Sequence, residues 1–134
     1  MNRKIPGLGK FALPMVDVRD CAYAHYLATT SPNVKESQRI IINCTTLWLK
    51  DLANILKQNF PDYSVPMKQI PFFIIKLVSF FDSAVKFIMP YWNREIVLDN
   101  SKSIEIFGMI YRDIELTIVE GTQSMINCGL IIKK

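Results

Sequence analysis

The sequence predicts an α/β fold of three short strand–helix units with additional helices, and three places in the chain carry that expectation. Met15, Val16 and Val18 make a short apolar strand that runs into Arg19-Asp20 and a helix. Arg39-Ile40-Ile41-Ile42-Asn43 is a β-branched run followed by a long amphipathic stretch. Glu95-Ile96-Val97-Leu98 is a third run, leading through Asp99-Asn100-Ser101 into a helix that Gly108 closes. Strand followed by helix at this spacing implies strands covered on both faces.

Taken in order, the first unit gains its helix start from Asp20, whose carboxylate can accept hydrogen bonds from the first free N–H groups. Cys21, Tyr23, Ala24 and Leu27 then fall within its first two turns. In the second unit Thr46 is placed to cap a helix reaching about Asn59. There Leu49, Leu52, Ala53, Leu56 and Phe60 recur at three and four residues, while Lys50, Asn54, Lys57 and Gln58 face elsewhere. A last helix, from about Asp113 to Asn127, gathers Ile114, Ile118, Val119, Met125 and Ile126 on one side and stops before Gly129.

Between the second and third units, residues 70–90 are nearly continuous Phe, Ile, Leu and Val, about the length of a membrane span. Lys76, Ser79, Asp82, Ser83 and Lys86 argue against a span. At about 100° per residue they occupy one arc of roughly 120°, opposite a wide apolar face. Charged groups in lipid are costly unless shielded. The segment is expected as a helix buried against the sheet or lining a substrate pocket, with a position on a membrane surface as the second reading.

Composition narrows the function classes. With 134 residues, 50% hydrophobic and 21% charged, the chain suits one globular domain. Its net charge of +4 comes from scattered cations, the only terminal basic pairs being Arg3-Lys4 and Lys133-Lys134. Nucleic-acid surfaces cluster basic residues among aromatics, so no nucleic-acid partner is expected. Cys21, Cys44 and Cys128 form no C-x-x-C pair, which points to a reducing compartment and a cytoplasmic location. Cys21 and His25 stand four apart, but structural zinc usually draws on close ligand pairs, and no metal site is expected. Gly7-Leu8-Gly9-Lys10-Phe11-Ala12 fits a loose G-x-G-x-x-[GA] pattern. It does not follow a predicted strand, and Pro14 would cut short a helix begun there, so it is expected as a loop before the first strand.

The run Met15-Val16-Asp17-Val18-Arg19-Asp20-Cys21-Ala22-Tyr23-Ala24-His25 closely resembles the Val-Asp-Val-Arg-Asp-Val-Ala-x-Ala-His signature of the extended short-chain dehydrogenase/reductase superfamily, of NAD-dependent epimerase/dehydratase type. The dihydroflavonol-reductase-like branch is the nearest, and the signature lies in the C-terminal half of its members. Further fragments follow in the family's order: Asn59-Phe60-Pro61-Asp62-Tyr63-Ser64-Val65-Pro66, Asp99-Asn100-Ser101-Lys102, Gly108 and Asn127-Cys128-Gly129-Leu130-Ile131. The resemblance implies an N-terminal tail over 1–9 and, over 10–134, the C-terminal substrate-binding portion of a reductase-like protein with the Rossmann coenzyme half absent.

Such proteins transfer hydride between NADP(H) or NAD(H) and a small carbonyl or alcohol, using a Gly-rich turn for the pyrophosphate and a Tyr-x-x-x-Lys pair for the proton. Here the residues four places after Tyr23, Tyr26, Tyr63, Tyr91 and Tyr111 are Leu27, Thr30, Met67, Glu95 and Glu115. No catalytic or cofactor-binding residue is therefore assigned. NADP or NAD is implied only for a full-length family protein, with a coenzyme-binding half or partner subunit as the partner. By the same resemblance, Phe80, Phe81, Tyr91 and Trp92 are where an apolar substrate would touch. Asp17, Arg19, Asp20 and His25 are expected to form a polar network holding strand to helix.

Epimerases and dehydratases of the superfamily place an Arg shortly before this strand to grip phosphates, whereas this chain has Phe11-Ala12-Leu13-Pro14. That favours reductases of aldehydes, ketones or flavonoid-like compounds. Two functions follow. The first is a truncated or partial NAD(P)-dependent oxidoreductase, this chain supplying the substrate-binding lobe and inactive alone. The alternative is a non-catalytic binding or interaction module derived from such a reductase, associating with itself through exposed apolar surface or with a membrane through 70–90.

Overall fold

The computed structural model describes residues 7–35 and 37–131. Its sheet has two antiparallel strands, β1 (Ala12–Met15) and β2 (Thr45–Trp48), in the register Ala12 to Trp48 through Met15 to Thr45. The ladder continues past both ends, Cys44 N–H donating to the Met15 carbonyl and Leu49 N–H to that of Phe11, each at 2.9 Å. The first strand lies earlier than Met15–Val18, and Pro14 is tolerated in it because β1 is an edge strand.

The expected strands at 39–43 and 95–98 are not strands, and the three-unit arrangement is corrected to a mixed α/β fold with one two-stranded sheet among the described residues. Among the described residues neither run has a neighbouring backbone bonded to its N–H and C=O groups. Side chains reach them instead: Asn100 Nδ2 donates to the Asn43 carbonyl (2.7 Å) and Thr46 Oγ1 to that of Ile96 (2.6 Å). A β-branched run records fitness for a pleated, half-buried surface and does not itself supply a partner.

Among the described residues six α-helices accompany the sheet: α1 (Val18–Thr30), α2 (Leu49–Asn59), α3 (Phe72–Val78), α4 (Ser83–Ile88), α5 (Ser101–Phe107) and α6 (Ile114–Asn127). Asp17, not Asp20, caps α1, its carboxylate accepting from Arg19 N–H at 2.8 Å; Asp20 sits buried in the first turn. Thr46 belongs to β2, and α2 follows the strand without a side-chain cap. The last two helices match their expected limits. Gly108 ends α5 at φ 64° and Gly129 follows α6 at φ 71°, both in the left-handed region glycine enters freely, while Asp113 caps α6.

Residues 70–90 do not make one helix. Val78 ends α3, and Asp82 starts α4 by accepting from Ala84 and Val85 N–H at 2.9 and 3.3 Å, followed by a 3-10 turn at Met89–Tyr91. Among the described residues no helix is long and apolar enough to cross a membrane.

A small core of Phe11, Ala12, Ala24, Ala53, Phe60, Met109 and Ile118 forms where α2 packs on α6 and α1 on α5. The segment before β1 is pinned rather than free: Leu8 N–H donates to the Lys68 carbonyl, and Ile70 N–H to that of Leu8, both at 2.9 Å. Only glycine fits at position 7, since a Cβ there would stand 2.6 Å from the Lys68 oxygen.

Candidate functional site

Beside the core lies an apolar groove of about 650 Å³, within the size range of small-molecule sites. Leu49, Leu52 and Leu56 of α2 form one wall, and Ile75 and Val78 of α3 with Val85 and Ile88 of α4 form the other. The same apolar stripe that identified α2 as a covering helix thus faces an open space. Among the described residues Asp82 is the one charged residue on the lining, and its carboxylate is already engaged by the first N–H groups of α4. An uncharged, apolar guest would meet no unpaired polar side chain there, whereas an anion would meet only carboxylate and hydrocarbon.

The four aromatics expected to touch substrate lie elsewhere. Phe80 and Phe81 form the turn between α3 and α4 and are 76% and 87% exposed. Tyr91 is half exposed, and Trp92 packs between Phe11 and Phe72, with ring centroids 5.2 and 5.4 Å away. None of the four lines the groove. The walls come instead from aliphatic residues whose helical spacing reads equally well as ordinary core.

Asp17, Arg19 and Asp20 do form a polar network, but it ties α1 to α6 and to the loop before it. Asp17 accepts from Arg19 Nε (2.9 Å), Arg19 Nη2 (2.7 Å) and Thr117 Oγ1 (2.8 Å), and Arg19 Nη2 also meets Glu120 at 2.7 Å. Asp20 accepts from Arg112 N–H at 2.8 Å and pairs with the Arg112 guanidinium. The guanidinium hydrogen bonds from Arg19 hold the Asp17 carboxyl well below the usual carboxylate range, outweighing its burial, and Arg19 is raised in turn. His25 stands outside this network: exposed, it donates from Nδ1 to the Cys21 carbonyl one turn earlier at 2.8 Å. Arg112 and Thr117 are partners the sequence reading missed, lying 92 and 100 positions from the carboxylates they serve.

The Gly7-Leu8-Gly9 loop is not shaped as a dinucleotide cradle. At Gly7-Leu8-Gly9 the Leu8 N–H and C=O are spent on Lys68 and Ile70, and the loop leads into β1 rather than a helix N-terminus. Among the described residues no group of three His, Cys, Asp or Glu could hold a metal, and Cys21 Sγ lies 3.9 Å from His25 Nδ1. Cys44 donates to the Arg112 carbonyl, and burial pushes its thiol pKa up, away from reactive thiolate.

No family model and no curated protein sequence matches the chain. A solved structure does: a reductase from a study of structure-guided engineering to attenuate substrate inhibition in asymmetric catalysis. It is 22% identical with a TM-score of 0.55, over 84% of this chain and 29% of that protein. This chain therefore spans under a third of the length of that reductase, and the likeness is one of fold.

Proposed function

We propose that this chain is the substrate-binding portion of an NAD(P)-dependent reductase of the extended short-chain type, acting on a small carbonyl or alcohol. The observation that carries the reading is the alignment of most of the chain with a minor part of a reductase. The groove adds the chemistry: a lining that is uncharged among the described residues, apart from one capped carboxylate, suits an aldehyde or ketone with an apolar body. In this reading NADP or NAD and the proton-donating Tyr-x-x-x-Lys pair reside on a coenzyme-binding half or partner subunit, in the cytoplasm. The chain alone binds no coenzyme and transfers no hydride.

Its surface supports a missing neighbour. Among the described residues there is an excess of exposed large apolar side chains, Val18, Phe81, Val97 and Ile110 the most open of them. The same excess is what would favour the second reading, a non-catalytic module that associates through that surface. An antibody raised against residues 114–131 separates them on a blot of source cells. The reductase reading expects a band about two to three times the chain's mass, or a co-purifying coenzyme subunit. A lone species of 15.5 kDa without such a subunit would overturn it.

A further inference from the structure

The helices α3 and α4 are apolar on both sides. Ile75 and Val78 of α3, with Val85 and Ile88 of α4, face the groove. On the outside of α3, Phe73 and Leu77 stack four residues apart and are 70% and 62% exposed, with Phe80 three residues further on. Phe87 is 75% exposed on α4. A helix that is hydrophobic all round is normally covered, and here half of each is bare. Charge along this stretch is one-sided: residues 64–94, up to but not including Glu95, carry Lys68, Lys76, Lys86 and Arg94 against the single acid Asp82. That acid is committed to capping α4, and all four cations are exposed. Among the described residues none of the four forms an ion pair. Lys76 lies about 60° around the helix from the Phe73 stripe, so it flanks the apolar face.

We infer that the α3–α4 hairpin seats on an anionic lipid surface, the Phe80-Phe81 turn entering the headgroup layer while Lys76 and Lys86 meet lipid phosphates and carboxylates. Aromatic and aliphatic side chains flanked by lysines on short helices are what an interfacial site requires. Charge complementarity selects lipid over a second copy of the same patch, since two copies would set like charges against each other. With seven and six residues, the helices lie in the interface rather than cross it. This attachment is independent of the reductase reading.

The test is co-sedimentation of the full chain with vesicles of phosphatidylcholine, with and without phosphatidylserine. Binding is expected to the phosphatidylserine vesicles and to fall with added salt. Phe80→Ser/Phe81→Ser should weaken it about tenfold or more while leaving the thermal unfolding curve in place, because both rings are exposed. Lys76→Glu/Lys86→Glu should lower the phosphatidylserine affinity by more than about fivefold for each lysine, since each change adds repulsion to lost attraction. Three results would each overturn the inference: no binding to phosphatidylserine vesicles, equal binding by the wild type and both variants, or a dimer on gel filtration that Phe80→Ser/Phe81→Ser dissolves.

Discussion

At the start of α1 two buried carboxylates, Asp17 and Asp20, take hydrogen bonds from residues 100 and 92 positions away, whereas α3 and α4 face α2 across an apolar groove and are held through the Phe72–Trp92 ring pair. The first arrangement is directional. Each bond has a required length and angle, and a displaced partner leaves a buried charge unpaired. The second tolerates repacking, because aliphatic and aromatic contacts have broad, shallow minima. On the proposed reading, a groove that accepts guests of varied shape gains from the second kind of holding, provided the first fixes the frame around it.

Substitutions should separate the two regions. Asp17→Ala removes a cap and the charge-assisted bonds of Arg19 and Thr117 from a carboxylate that is only 3% exposed, and should destabilise by about 3 kcal/mol in urea unfolding. Its pH dependence follows the same bonds. The Asp17 pKa is lower in the folded state than in the unfolded one, so the folded state holds fewer protons on this group. Its stabilisation is complete above about pH 4 and shrinks as pH falls further toward the depressed folded value. Asp17→Asn should flatten that acid limb, and an unaltered acid limb would show that the pair contributes nothing.

Asp20→Ala strands the Arg112 N–H and should cost about 2 kcal/mol by the same assay. Ser103, fully buried, shares a 2.6 Å hydrogen bond with the Tyr111 hydroxyl, and Ser103→Ala should cost about 1 kcal/mol. Phe81→Ser, on the α3–α4 turn, should change stability by less than about 0.5 kcal/mol. A loss at Phe81 as large as that at Asp17 would erase the contrast.

Helix ends were the most legible part of the sequence where their chemistry is local. Gly108, Asp113 and Gly129 act within a few residues of themselves, and α5 and α6 fall where those residues predict. Asp17 and Asp20 are both able to cap, and the choice between them depends on Arg112 and Thr117, which no local pattern reveals. Ile40–Ile42 and Ile96–Leu98 have strand composition, yet a strand needs a neighbouring backbone, which composition cannot specify. The polar arc over 70–90 assumed an unbroken helix, and Asp82 broke it by acting as a cap instead of a solvated surface charge. The groove was half legible: the α2 stripe was visible, but not that it faces a space.

The central claim is that the chain supplies an apolar substrate groove and no coenzyme site, and calorimetric titration of the chain with an aromatic ketone and, separately, with NADPH tests it most directly. The account predicts saturable heat from the ketone, lost when Ile75→Trp fills the groove, and none from NADPH. Micromolar NADPH binding, or a ketone that binds equally well with the groove filled, would contradict it.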